Sequence, residues 1–329
     1  MLLDVDGCSD VGMVRTHNDD RYTIRHDLPG GDVLCVVADG MGGYASGDLA
    51  ATLAVDAVVR GVEMGAELAA AVATANAEIY RRSRAEANHR GMGTTVTCVI
   101  IHDGQAQFVH VGDSRMYLVR DGTARQLTTD HSWVAEEVRA GRMTAVEARN
   151  SRSRNLITRA LGLEDAVPTD GGSCPLSVGD ALLLCSDGVH NLVSDEELVG
   201  ACANSASQGS AELVEAVRAR GAPDNATVVI ARILSDGAEP TRAAVTRPLP
   251  DLTGSIPEPE RSAVVGSSDA LLPGPTDGDL PPKGRHVARY GERGMRERRG
   301  VNYVVLALLL LALLALGGLV YFGLFGGAL

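Results

Sequence analysis

The stretch VVADGMGG, residues 36–43, carries a short apolar run into an acidic turn and leaves Asp39 at the end of a strand that is apolar on both faces. LLLCSDG, residues 182–188, repeats the device with Asp187. An unpaired carboxylate beside such a strand is costly, so each needs a counter-charge. Lysine cannot supply it: the single lysine of the chain is Lys283.

Outward from these two stretches, β-rich runs occupy 22–26, 33–38, 94–101, 105–110, 116–120, 181–185 and 227–233. Turns such as His102-Asp103-Gly104 join some of them as antiparallel hairpins. Helical patterns fall at 47–60, 66–87, 132–140, 195–203 and 211–220. Strands and helices follow one another without βαβ regularity, which predicts a layered α+β domain over residues 1–234.

The chain has 329 residues, 45% of them hydrophobic and only 3% aromatic, so its core is expected to be built from small aliphatic side chains. Net charge is −12, and the seven basic and two acidic side chains between Lys283 and Arg299 leave the remainder at −17. Such a body repels nucleic acid, and no nucleic-acid partner is expected. The six cysteines are scattered, several in apolar runs, with no C-x-x-C pair, as in a reducing compartment. None opens a C-x5-R loop, so phosphate chemistry through a thiolate has no candidate. Without a lysine in the body, a kinase or P-loop ATPase is excluded as well.

The opening MLLDVDGCSD lacks a basic and an apolar region, so no signal peptide is expected. Residues 235–282 turn to Pro, Gly, Ser and Asp and read as a flexible linker. Residues 283–300 are expected to form a basic juxtamembrane segment, 301–325 a transmembrane helix and 326–329 a short tail. From 304 to 325 there is no charge, and as a helix this run spans roughly 33 Å, enough for a bilayer core. The basic residues before the span place the body on the cytoplasmic side of a single-pass protein at the cell membrane.

Asp19 and Asp20 in NDDR, Asp39, Asp187, and Asp224 in PDNATVVI share one context, each at a strand end or in a turn. Taken alone, any of these is an ordinary turn signal. Together they describe rigidly placed carboxylates aimed at a common centre, which suits hard cations such as Mg2+ and Mn2+.

The order and spelling of SDVGMVRTHNDD, ADGMGGYASGDLA, MGTTVTCVI, VHVGDSRMYLVRDG, LTTDHS, RNLITRALG, LLLCSDGVHNLV and PDNATVVI resemble the metal-dependent protein phosphatase family, the PPM or PP2C-type serine/threonine phosphatases, in its bacterial branch. The resemblance covers residues 8–234 and implies an antiparallel β-sandwich flanked by helices on both sides. It implies that Asp39 bridges two Mn2+ or Mg2+ ions and that the Gly40 carbonyl binds the second. It also implies that Asp187 and Asp224 complete the first site, that Asp20 holds its waters and that Asp113, in GDSR, binds a third ion. Arg15 would grip the substrate phosphate, to which its planar fork is suited. Cations about 3.5 to 4 Å apart acidify a bridging water, so attack on phosphorus needs no phosphoenzyme.

Three positions depart from the family pattern. Asp19 stands where Glu is usual and Tyr44 where His is usual, while Met41 replaces a His credited in another branch with protonating the leaving group. His17 and His131 are expected to be structural, and 132–155 matches the family's flap. The activity implied is hydrolysis of phosphoserine and phosphothreonine in proteins, opposing a membrane-associated Ser/Thr kinase. A catalytically silent phosphoprotein-binding module and a phosphodiesterase are the alternatives.

Overall fold

The computed structural model describes residues 1–42 and 46–235. Tyr44, the linker, the basic segment and the expected membrane span lie outside the described residues, among which no helix is long and apolar enough to cross a membrane.

Two antiparallel sheets form the frame. The first contains β1 (Leu2–Asp10), β7 (Arg115–Arg120), β8 (Thr123–Gln126), β10 (Ala181–Cys185) and β11 (Ala226–Ser235), in the spatial order β1-β11-β10-β7-β8. The second contains β2 (Asp20–Arg25), β3 (Val33–Met41), β5 (Val96–His102), β6 (Gln105–Val111) and β9 (Asp170–Pro175), in the order β2-β3-β5-β6-β9. The short β4 (Gly93–Thr94) pairs with the end of β3. Asp103 and Gly104, at φ 43° and 73°, make the expected tight turn between β5 and β6, with His102 opposite Gln105.

The period of two along each strand explains the layers. Val33, Cys35 and Val37 of β3 point into the space between the sheets and meet Met116, Leu118, Leu182, Leu184, Val229 and Ala231. Leu34, Val36 and Ala38 point the other way, onto α1 (Ser46–Glu63) and α2 (Leu68–Ala85). On the first sheet, Leu183, Cys185, Val228 and Ile230 face α6 (Asp195–Ala203) and α7 (Ala206–Ala219). β10 is therefore apolar throughout, and β3 from Val33 to Ala38, because both of their faces are covered. The result is the expected helix-flanked sandwich, with α3 (Trp133–Arg139), α4 (Ala145–Asn150) and the one-turn α5 (Asp187–His190) added at its margins.

Helix starts follow side-chain caps. Ser194 and Glu197 form a reciprocal capping box at α6, as Thr144 and Glu147 do at α4. Ser205 accepts from the Gln208 amide and starts α7 at 206, five positions before the 211 predicted from periodicity. The expected strands are present, within a few residues at their ends, except that the run over 94–101 is divided at Thr95 into β4 and β5, and β1, β8 and β9 are additions.

Leu184 is fully enclosed between the sheets. Leu184→Ala is expected to lower the unfolding free energy by about 2–5 kcal/mol, read from denaturant titration, because the packed sheets cannot close over the cavity.

Candidate metal centre

Antiparallel pairing brings strand ends beside strand starts. Asp20, the first residue of β2, lies opposite Asp39 near the end of β3. In the other sheet, Asp187 follows the end of β10, Asp224 precedes the start of β11 and Asp113 precedes β7, while Cys185 pairs with both Val228 and Arg115. All five aspartates therefore reach the same end of the sandwich.

Hydrogen bonds between the sheets fix that end. Ser186 Oγ donates to Asp20 Oδ2 at 2.7 Å and accepts from the Thr227 amide at 3.0 Å. Asn225 accepts from the Asp19 amide at 2.8 Å while its own amide donates to the carbonyls of Val11 and His17. Around Asp39, the main chain is clamped by two threonines. Its amide donates to Thr95 Oγ1, and its carbonyl accepts from both the Thr95 amide and Thr94 Oγ1, each at 2.9 Å. Thr95 Oγ1 also meets Ser114 Oγ at 2.8 Å, beside Asp113.

Gly40 sits where this end meets α1. Its amide donates to the Asp19 carbonyl at 3.1 Å, and a Cβ there would lie 2.1 Å from the Gly47 carbonyl oxygen. No side chain fits between them. Asp19 Oδ1 accepts from the Asp48 amide at 3.2 Å in the first turn of α1.

Asp20 and Asp113 are buried, at 2% and 5% exposure, whereas Asp39 and Asp187 are half-buried. Burial pushes the Asp20 carboxyl up to about 6, with Asp224 and Asp19 adding repulsion. Burial and then Asp130 push Asp113 up to about 7. Asp39 and Asp187 are also raised well above the ordinary value, by burial first and by neighbouring aspartates next. Arg15, half-exposed, brings Nη2 to 2.8 Å from Asp224 Oδ2, and Arg115 acts on Asp113 from β7.

These residues fit divalent metals by their chemistry. The donors are carboxylate oxygens, the choice of hard cations. Asp20 Oδ1 and Asp113 Oδ1 are buried without a hydrogen-bond partner, and such atoms are expensive unless a cation satisfies them. Among the described residues no three His, Cys, Asp or Glu side chains stand ready-made as a metal-holding group.

Of the residues singled out from the sequence, Arg15, Asp20, Asp39, Gly40, Asp113, Asp187 and Asp224 are all brought to this end. The sequence did not single out Thr94, Thr95, Ser186 or Asn225, which hold them. Their signal was present as polar residues adjoining apolar strands, in MGTTV, LLLCSDG and PDNATVV. The ring of His131, expected to be structural, is buried and accepts from the Gly112 amide at 3.0 Å.

The protein phosphatase 2C family profile matches residues 14–234. The chain is 34% identical to protein phosphatase PhpP of Streptococcus pneumoniae over 248 residues, which cover 72% of this chain and 100% of that one. It is also 34% identical to the serine/threonine phosphatase stp of Listeria monocytogenes over 234 residues, covering 68% and 92%. The crystal structure of the Mycobacterium tuberculosis serine/threonine phosphatase PstP/Ppp superposes with a TM-score of 0.65 at 36% identity, covering 71% of this chain and all of that one. A structure of the PstP catalytic domain in complex with two manganese ions superposes at 0.63 and 35% identity, covering 71% and 99%.

The raised carboxyls make a pH prediction for the metal-free protein. Asp20 and Asp113 hold protons more tightly folded, at about 6 and about 7, than unfolded, at the ordinary 3.8. Their contribution is most favourable below 3.8 and is lost as pH rises through 6 and 7. In chelator, Asp39→Asn should therefore raise the melting temperature at pH 7.5 by on the order of 5 °C. The gain should shrink towards pH 5. Manganese should raise the melting temperature of the parent at pH 7.5 and leave the variant nearly unmoved.

Proposed function

The chain belongs to the protein phosphatase 2C family, and from that premise we propose that it hydrolyses phosphoserine and phosphothreonine in proteins, using divalent metal held by its aspartates. The observation that carries the reading is the meeting of Asp20 and Asp39 from one sheet with Asp113, Asp187 and Asp224 from the other, with buried Oδ1 atoms of Asp20 and Asp113 lacking a partner. Asp39 and the Gly40 carbonyl would hold metal together with Asp187, Asp224 and Asp20, and Asp113 would hold a further ion. Mn2+ or Mg2+ bound there supplies a lowered pKa for water and a screen for the phosphate charge.

The remaining work falls to the chain itself. Thr94 and Thr95 fix the main chain of Asp39, so its carboxylate needs little reorganisation on loading. Ser186 takes one oxygen of Asp20 and leaves the other for the centre. Arg15, half-exposed and within reach of Asp224, is placed to exchange that carboxylate for a substrate phosphate. Among the described residues all the cysteines are free thiols, and burial raises the pKa of Cys35, Cys98 and Cys185 to about 12, so none is an activated nucleophile.

The full-length protein should release phosphate from a phosphothreonine peptide with Mn2+ and stop when the metal is chelated. Asp39→Asn should lower kcat by about a hundredfold or more, and Arg15→Ala should chiefly raise KM. Inactivity on every phosphopeptide, with intact binding of phosphoprotein, would leave the binding-module reading in place. Hydrolysis of phosphodiesters in preference to monoesters would replace the proposal altogether.

The apolar run 304–325 and the basic residues before it support attachment to the cell membrane with the catalytic body cytoplasmic, near a Ser/Thr kinase whose phosphorylated segments it would reverse. Deleting residues 301–325 should move the protein from the membrane pellet to the supernatant on fractionation, with unchanged kcat on a free peptide. Retention in the pellet would refute the anchor.

A further inference from the structure

The turn that presents Asp113 is held from beneath by a buried histidine. The Gly112 amide donates to His131 Nδ1 at 3.0 Å, and the His131 amide donates back to the Gly112 carbonyl at 2.7 Å. Nδ1 is thus the acceptor, and the ring proton lies on Nε2, which faces Asp170 Oδ2 at 3.1 Å. Arg159 Nη1 lies 2.7 Å from the other oxygen of Asp170 and 3.0 Å from Nε2, so the carboxylate is held between two donors. The ring of His110 packs on that of His131 with centroids 4.9 Å apart. Burial lowers the His131 pKa, with the hydrogen bond to Asp170 opposing.

The same residue is the root of the flap. The Thr158 amide donates to the His131 carbonyl at 2.8 Å, Ser132 bridges to Ile157, and the Trp133 amide donates to the Leu156 carbonyl. Both the outgoing and the returning arms of segment 132–157 are therefore tied at His131. Other contacts support the same turn: His190 Nε2 donates to the Asp113 carbonyl at 2.9 Å, Thr95 Oγ1 meets Ser114 Oγ at 2.8 Å and Arg115 lies near the Asp113 carboxyl, whose buried Oδ1 has no partner.

We propose that His131 is a positioning residue for the metal that Asp113 would hold, with the chain Asp170–His131–Gly112 fixing the turn from which the carboxylate projects. The proposal rests on reading Asp113 as a metal ligand. A histidine that accepts a main-chain N–H and donates to a carboxylate can fix a turn in one orientation, and removing such an outer-shell contact costs about ten- to a hundredfold in metal affinity. Removal of the acceptor leaves the buried Gly112 amide without a partner, and the turn would then relax away from its present position.

The test is Mn2+ binding to the full-length chain held in detergent, with free Mn2+ counted by electron paramagnetic resonance. Asp113→Asn should remove one class of bound ion. His131→Phe should weaken that same class about ten- to a hundredfold and leave the other ions unchanged. His131→Asn places Oδ1 where Nδ1 was and should recover most of the affinity, whereas a purely space-filling role would favour Phe over Asn. Asp170→Ala removes only the half-exposed partner of Nε2 and should shift the same class in the same direction by less. If Asp113→Asn loses an ion and His131→Phe keeps the parental isotherm, the positioning role is wrong and the ligand reading stands. If Asp113→Asn loses none, both fall. Should His131→Phe fail to fold, Asp170→Ala decides alone, and a parental isotherm there overturns the proposal.

Discussion

The rest of the structure depends on a concentration of like charge at one end of two packed sheets. Asp39 is pushed towards its protonated form by burial and by Asp20, Asp187, Asp113 and Asp224, drawn from both sheets. No loop cluster could hold such a group together, because repulsion would disperse it. Here the positions are fixed by register: Asp20 opposite Asp39 in one sheet, and Cys185 opposite Val228 and Arg115 in the other. The apolar filling between the sheets then keeps the two sets facing each other. Core packing supplies the free energy that the carboxylates consume.

Short polar side chains convert this packing into placement. Thr94, Thr95, Ser114, Ser186, Thr227 and Asn225 lie at the seam, and nearly all their bonds join one sheet to the other or fix the main chain next to an aspartate. These residues are small, and their torsions are few. A carboxylate held at its main chain in this way loses little entropy when it takes up a ligand, which is why supporting residues matter as much as the donors.

The central layers were legible in the sequence because β3 and β10 are apolar in every register position that helices and the opposite sheet cover. The edges were not. In β1 the inward residues Leu3 and Val5 alternate with acids, and Gly7 interrupts the pattern, so only pairing with β11 makes it a strand. In β9 the sequence DGGSCP has almost no strand propensity and is held by its main-chain bonds to β6. At the site, the aspartates were legible because each follows or precedes an apolar run. The task of Asp19 as a cap of α1 was not, since it depends on a helix start that reaches it only through the fold.

One consequence of the pairing of β1 with β11 concerns orientation. Leu2 lies opposite Ser235 at one end of the sandwich, and Asp10 lies opposite Ala226 at the other, next to Asp224. A ten-residue strand at ~3.3 Å per residue separates these ends by roughly 30 Å. Whatever follows Ser235 is therefore joined to the pole away from the carboxylates. A group attached there would stand about one strand length from Asp224, on the far side of the packed sheets.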